Sequence, residues 1–170
     1  MKIVVRFSTP VKVFATVMVG TLLALMIAAP AAADSVRWRT IIGIIQAGNV
    51  VGNITGGGQP WSTLGGRARV DLAAGQVSFE VEGLVLAGGN TIGTPGAVNL
   101  VKGTVLCDPG GANVTIDTVL VPLSPQGDAE FSGSVGPIPS TCTPANVVFL
   151  VRIAANRWIA NGAVRSAPGQ

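Results

Sequence analysis

Glu80 and Glu82 stand two residues apart in "QVSFEVEG". On an extended strand, residues i and i+2 share a face about 7 Å apart. Two carboxylates at that separation fall within the range used by inverting glycosidases. The same pattern has a plainer reading, in which each glutamate faces an arginine of "GRARVD" on a solvated sheet surface. Ion pairs of that kind favour the charged carboxylate, whereas an acid catalyst needs its proton retained. The chain contains no histidine, so neither a Ser-His-Asp nor a Cys-His arrangement can be built. Lys102 is the one lysine after Asp34. No Ser-x-x-Lys reaches it and no Gly-x-Ser-x-Gly elbow is present, which argues against serine nucleophiles. A transition-metal site would have to be built from carboxylates alone. Asp108, Asn113 and Asp117 offer oxygen ligands around "DPGGANVTID", but two carboxylates at a spacing unlike an EF-hand bind Ca²⁺ weakly, and Asp-Pro-Gly-Gly is itself a turn signal. The expectation is no catalytic residue, no metal and no cofactor.

Two further features carry chemistry of another kind. Cys107 and Cys142 are the only cysteines. In an exported chain they predict a disulfide, and closing that loop contributes about 3–4 kcal/mol on the chain-entropy view. The stretch "GNITGGGQPWSTLGG", residues 52–66, holds six glycines around Trp61. No lysine follows those glycines and a strand pattern comes next, so this is not a phosphate-binding P-loop. Trp61 either plugs the open end of the core or contacts a ligand, and the plug is the favoured reading. Trp38 and Trp158 lie in strand-like runs and are read as core.

The N-terminus sets the compartment. Lys2, Arg6 and Lys12 precede an apolar run from Val13 to Ala29, then Pro30 and Ala31-Ala32-Ala33. This is the pattern of a secretory signal peptide, residues 1–33, forming a signal helix and cut between Ala33 and Asp34. Eleven Lys and Arg face eight Asp and Glu overall. Three of the basic residues precede Asp34, leaving eight against eight and a net charge of zero in the mature chain. Such a balance, with no basic run, gives no footprint for nucleic acid. It also leaves no polybasic lipid patch, and no stable membrane insertion is expected after cleavage. The protein is expected to be secreted or periplasmic.

Positioning these residues falls to β-strands. In "GRARVDLAAGQVSFEVEGL" Ala68, Val70 and Leu72 alternate with Arg67, Arg69 and Asp71, and Val77, Phe79 and Val81 alternate with Ser78, Glu80 and Glu82. Period-two alternation predicts half-buried strands. Folding them about Ala74-Gly75 sets Val70 against Phe79, Leu72 against Val77 and Ala68 against Val81. On the other face it sets Arg69 against Glu80 and Arg67 against Glu82. Further strands are expected at 36–46, 98–107, 117–123, 128–135, 147–153 and 157–164. The 147–153 strand should be central, and Pro122 should confine its strand to an edge. The 137 residues left when the 33 of the leader are taken from 170 suit one domain. The chain therefore reads as all-β, an antiparallel β-sandwich or small barrel of about seven to nine strands. The domain would span 34–165, with a flexible tail at 166–170.

The segments "GGGQPW", "GLVLAGGNTIGTP", "VKGTVLCD", "GDAEFSG" and "RWIANGAVR" resemble landmarks of a group of uncharacterised secreted bacterial proteins, which implies export and no particular activity. The hairpin ending in "VEGL" is more distantly similar to CHRD-type and copper/zinc superoxide dismutase β-domains. Those dismutases bind metal through histidines that this chain lacks, so the likeness implies a sandwich only. Together these readings predict a non-enzymatic exported binding or structural module. Its recognition loops would be Gly52–Gly66 and Ala87–Gly96, its partner a carbohydrate or a protein, and its loop aromatic Trp61. A carboxylate-only hydrolase is the alternative.

Overall fold

The computed structural model describes residues 34–166. The expected signal segment, with Ala33 at its end, and residues 167–170 of the expected tail lie outside the described residues.

Nine strands make one antiparallel sheet. They are β1 (Ser35–Gly43), β5 (Gly65–Asp71), β6 (Gln76–Glu82), β8 (Leu100–Cys107), β9 (Val114–Asp117), β10 (Val121–Pro122), β11 (Ala129–Ser134), β12 (Val147–Ile153) and β13 (Trp158–Arg165). Their order is β10-β8-β12-β13-β1-β5-β6-β11, with β9 pairing β8 beside β10. Two small ribbons, β2 (Val50–Val51) with β3 (Ile54–Thr55) and β4 (Trp61–Ser62) with β7 (Val85–Leu86), complete the strands. The large sheet curls into a half-barrel of eight strands in succession. Its two end strands, β10 and β11, are consecutive in the chain and meet through a turn in which the Ser124 N–H donates to the Asp128 carbonyl at 2.9 Å.

Curling gives the sheet an inside. Val36 and Trp38 of β1, Val70 of β5, Phe79 of β6 and Phe149 of β12 are all buried. The Phe149 ring lies 5.8 Å from Trp38 and 5.6 Å from Phe79, centroid to centroid. Gly103, opposite Val151, makes room for this cluster, since a Cβ there would come within 2.9 Å of the Phe79 ring. β12 is nearly all apolar because both its flanks and both its faces are covered. β8 and β13 pair its edges, and residues 44–60 lie over the outer side of the neighbouring strands. That cover is fastened by Trp158 Nε1 donating to the Asn49 carbonyl at 3.0 Å and by the Gly57 N–H donating to the Trp158 carbonyl at 2.8 Å. The outer layer is thus loops and a two-residue ribbon, not a second broad sheet.

Two strand expectations need correction. The strand expected at 117–123 is split: β9 ends at Asp117, and β10 is only Val121–Pro122, at the sheet edge. More consequential is the β5–β6 hairpin, whose register lies two residues from the expected one. Arg67 faces Glu80, Ala68 faces Phe79, Arg69 faces Ser78 and Val70 faces Val77. The turn, not the alternation, decides this. Asp71 Oδ1 accepts the Ala74 N–H at 2.9 Å, and Gly75 adopts φ +62°, so four residues (72–75) form the loop instead of two. An even shift keeps every side chain on its face but changes its partner.

Candidate functional site

Cys107 and Cys142 form a disulfide with Cα atoms 5.2 Å apart, and both residues are buried. It ties the C-terminal end of β8 to the loop before β12.

The oxygen-bearing residues of "DPGGANVTID" separate. Asp108 turns back on its own loop, Oδ2 accepting the Ala112 N–H at 2.7 Å. Asn113, at φ +52°, donates its side-chain amide to the Gly111 carbonyl at 2.7 Å. Asp117 is engaged elsewhere. Its Oδ2 accepts from Lys102 Nζ at 2.6 Å, and its Oδ1 accepts from Thr104 Oγ1 at 2.6 Å and from Arg152 at 3.2 Å. Burial raises the Asp117 pKa, but the bond from Lys102, the bond from Thr104 and the charges of Lys102 and Arg152 together hold it below 3.8. Lys102 and Arg152 face each other directly on β8 and β12, and this carboxylate lies between them.

Glu80 accepts a hydrogen bond from Arg67, its cross-strand neighbour, while Glu82 is exposed opposite Gly65. Both line a cleft of about 840 Å³ with Asp128 and Glu130, beside Leu64 and Pro122. No tryptophan lines that cleft, whereas the hydrolase reading asked for one.

Trp61 is buried, with 5% of its surface exposed. Its ring therefore offers no open face for stacking on a sugar. It faces Leu86 across β4–β7, and the Ala87 N–H donates to the Pro60 carbonyl at 2.9 Å. This short ribbon draws the Gly52–Gly66 and Ala87–Gly96 loops together. Between them lies a pocket of about 470 Å³ whose walls include Trp61, Leu86, Pro95, Ile153, Ile159 and Arg157. The Arg157 guanidinium donates to the Gly56 carbonyl at 3.0 Å and steadies one wall. The Trp158 indole N–H is engaged by the Asn49 carbonyl, whereas the Trp61 indole N–H donates to no described residue; among the described residues the fully buried side-chain polar atom left unpaired is Asn113 Oδ1. Gly57 lies beside the Trp61 indole, and even a Cβ there would stand only 3.5 Å from Nε1.

A further groove brings in Arg37, Arg39 and Glu130, which the residue pattern alone did not mark. It measures about 890 Å³ and runs across the outer faces of β1, β5, β6 and β11, with Arg37, Arg39, Arg67, Arg69, Glu80 and Glu130 in its lining. Arg37 and Arg69 are direct cross-strand neighbours. The available signal was the repeated Arg-apolar-Arg of "RWR" (37–39) and "RAR" (67–69), but it needs the β1–β5 pairing before it means anything.

Comparison of the chain with protein-family models, with curated proteins and with solved structures found no match in any of the three.

Proposed function

We propose that this chain is a non-enzymatic β-module that works by binding outside the cytoplasm, secreted or in the periplasm, and that the pocket between its two glycine-rich loops receives an apolar group bearing a hydrogen-bond acceptor. The observation that carries the reading is the place of Trp61, whose indole N–H donates to no described group, in the wall of a pocket lined largely by aliphatic side chains. A concave apolar site with one or two placed polar groups is the general form of a small-molecule pocket. The volume suits a small ligand or a single side chain of a protein partner. Export rests on the residue pattern of 1–33, and the buried disulfide is consistent with an oxidising compartment. Binding is favoured over hydrolysis because Glu80 is tied to Arg67 and the acidic cleft lacks the aromatic platform a glycosidase would use.

The test follows the Trp61 indole ¹⁵N–¹H resonance while the purified protein is titrated with a panel of small apolar amides, esters and neutral oligosaccharides. A binder of the expected kind shifts that resonance more than those of Trp38 and Trp158. Trp61→Phe, which keeps most of the packing and removes the donor, weakens that binder about tenfold, as expected for one neutral hydrogen bond. Binders that leave the Trp61 resonance unmoved, or that hold Trp61→Phe equally well, would sink the reading.

A further inference from the structure

The arginine groove carries an inference independent of the loop pocket. Arg37 of β1 and Arg69 of β5 stand directly opposite each other. Just past the last paired residues, Trp38 and Ala68, come Arg39 and Arg67. Opposed side chains on neighbouring strands are about 5 Å apart at Cβ, and i to i+2 along a strand is about 7 Å, so four guanidiniums share one small patch. Arg67 is paired to Glu80, and Arg39 Nε donates to Ser166 Oγ at 2.8 Å. Among the described residues neither the Arg37 nor the Arg69 side chain has any hydrogen-bond partner. The nearby Asp71 carboxylate accepts the Ala74 N–H through Oδ1 at the hairpin turn and bonds to neither arginine.

Like charges set directly opposite each other weaken a sheet. An arrangement that costs stability and lies open in a groove of this size has the character of a site. Guanidinium groups pair with carboxylate, sulfate or phosphate through two parallel hydrogen bonds. The remainder of the groove narrows the choice. Ser78, Ser132 and Ser166 bring hydroxyls, and Glu80 and Glu130, directly opposite each other on β6 and β11, bring acceptors. Beyond them the acidic cleft begins, sharing Glu80 and Glu130 and adding Glu82 and Asp128. A long polyanion running along the face would leave the arginines and meet four carboxylates. The volume of about 890 Å³ lies in the range of sites for drug-sized ligands, well beyond a lone inorganic ion.

We infer that this face binds a short acidic oligosaccharide. One or two of its carboxylates or sulfates pair with Arg37 and Arg69, and its neutral hydroxyls bond to the serines and to Glu130. The sheet surface supplies the shape, and the uncompensated arginines supply the selectivity for an acidic sugar over a neutral one.

Calorimetric titration of the purified protein with a trisaccharide of galacturonic acid tests this, with maltotriose and inorganic sulfate as comparators. The uronate trisaccharide should bind, more weakly as salt is raised. Maltotriose should bind at least tenfold more weakly, and so should sulfate. Arg37→Gln/Arg69→Gln should lose at least tenfold in affinity, since each charge-assisted bond to a carboxylate is worth about a decade or more. The same variant should melt no lower than the parent, because it removes a repulsion. If it shows no cooperative melting, Arg69→Gln alone is read by the same criteria. Absence of binding by the uronate overturns the inference. So does parity with maltotriose, parity with sulfate, or undiminished affinity in the variants. Trp61→Phe leaves this binding unchanged; a matching loss there would place the saccharide in the loop pocket instead.

Discussion

The outer surface of the large sheet presents the same local problem twice and treats it in two ways. On β8 and β12, Lys102 and Arg152 face each other directly; on β1 and β5, Arg37 and Arg69 do. In the first region Asp117 lies between the cations and bonds to both, Thr104 adds a further bond, and Arg152 is 8% exposed. In the second no carboxylate intervenes, and both arginines stay in water at the side of a groove. The difference shows that a pair of opposed cations is not informative in itself. What separates a strut from a site is whether the fold supplies the counter-charge or leaves that to something else.

The largest effect should come from the disulfide, which anchors the first region and has no counterpart in the second. Replacing both Cys107 and Cys142 by Ala should lower the free energy of unfolding by about 3 kcal/mol, measured by denaturant melts. Affinity at the arginine groove should be unaffected below the new transition, because β1, β5 and β6 hold their register through pairings remote from the cross-link. A parallel loss of binding would show that the two regions are not independent.

Next in size is the counter-charge itself. Asp117→Asn would leave Lys102 and Arg152 opposed with no anion between them, recreating the arrangement of Arg37 and Arg69 in a drier setting. Breaking a fully buried pair costs about 3–5 kcal/mol; with a third of the Asp117 side chain in water the loss should be about 2 kcal/mol. The sign with pH follows from its lowered pKa. Because the folded-state value lies below 3.8, the contribution of Asp117 is complete above that pH and is lost as pH falls through the lower folded value. Thermal melts should therefore show parent and Asp117→Asn proteins converging in that acid window and separated by a constant gap at neutral pH. A gap that persists unchanged to the lowest pH would show that Asp117 acts through packing and not through charge.

The two regions also differ in how readily they could be seen in the sequence. Alternation in 66–84 was enough to find β5 and β6 and to sort their faces, and the apolar run at 147–153 marked β12 with its correct limits and central place. Cys107 and Cys142 were legible because they are the two cysteines of the chain, so each had one possible partner within it. The hairpin register was not, because it depends on one side-chain bond from Asp71 and one positive φ at Gly75, neither of which leaves a periodic trace. Two-residue strands such as β4 and β7 have no period to detect, so the meeting of the two glycine-rich loops was invisible even though each loop was marked. The groove was hidden twice over. It requires β1 to pair with β5 across thirty-odd residues of chain, and it requires the register that gives Arg69 a serine where the alternation alone would give it Glu80.

That last point allows the smallest and sharpest test. Ser78 is the residue opposite Arg69, and Ser78→Glu would supply to the second region what Asp117 supplies to the first. An exposed cross-strand ion pair contributes little, so stability should rise by about 0.5 kcal/mol, close to the limit of a careful denaturant melt. The effect on the groove should be out of proportion to this. A carboxylate bonded to Arg69 competes with any anionic ligand at the same guanidinium and repels it from Arg37 as well. Affinity for the uronate trisaccharide should therefore fall at least tenfold while the protein becomes, if anything, more stable. Stability and binding moving in opposite directions under one substitution would mark the missing counter-charge as the functional feature of this face. If both fall together, Ser78→Glu has disturbed the sheet. If binding is untouched, the ligand does not use Arg69, and the two regions differ only in how much water reaches them.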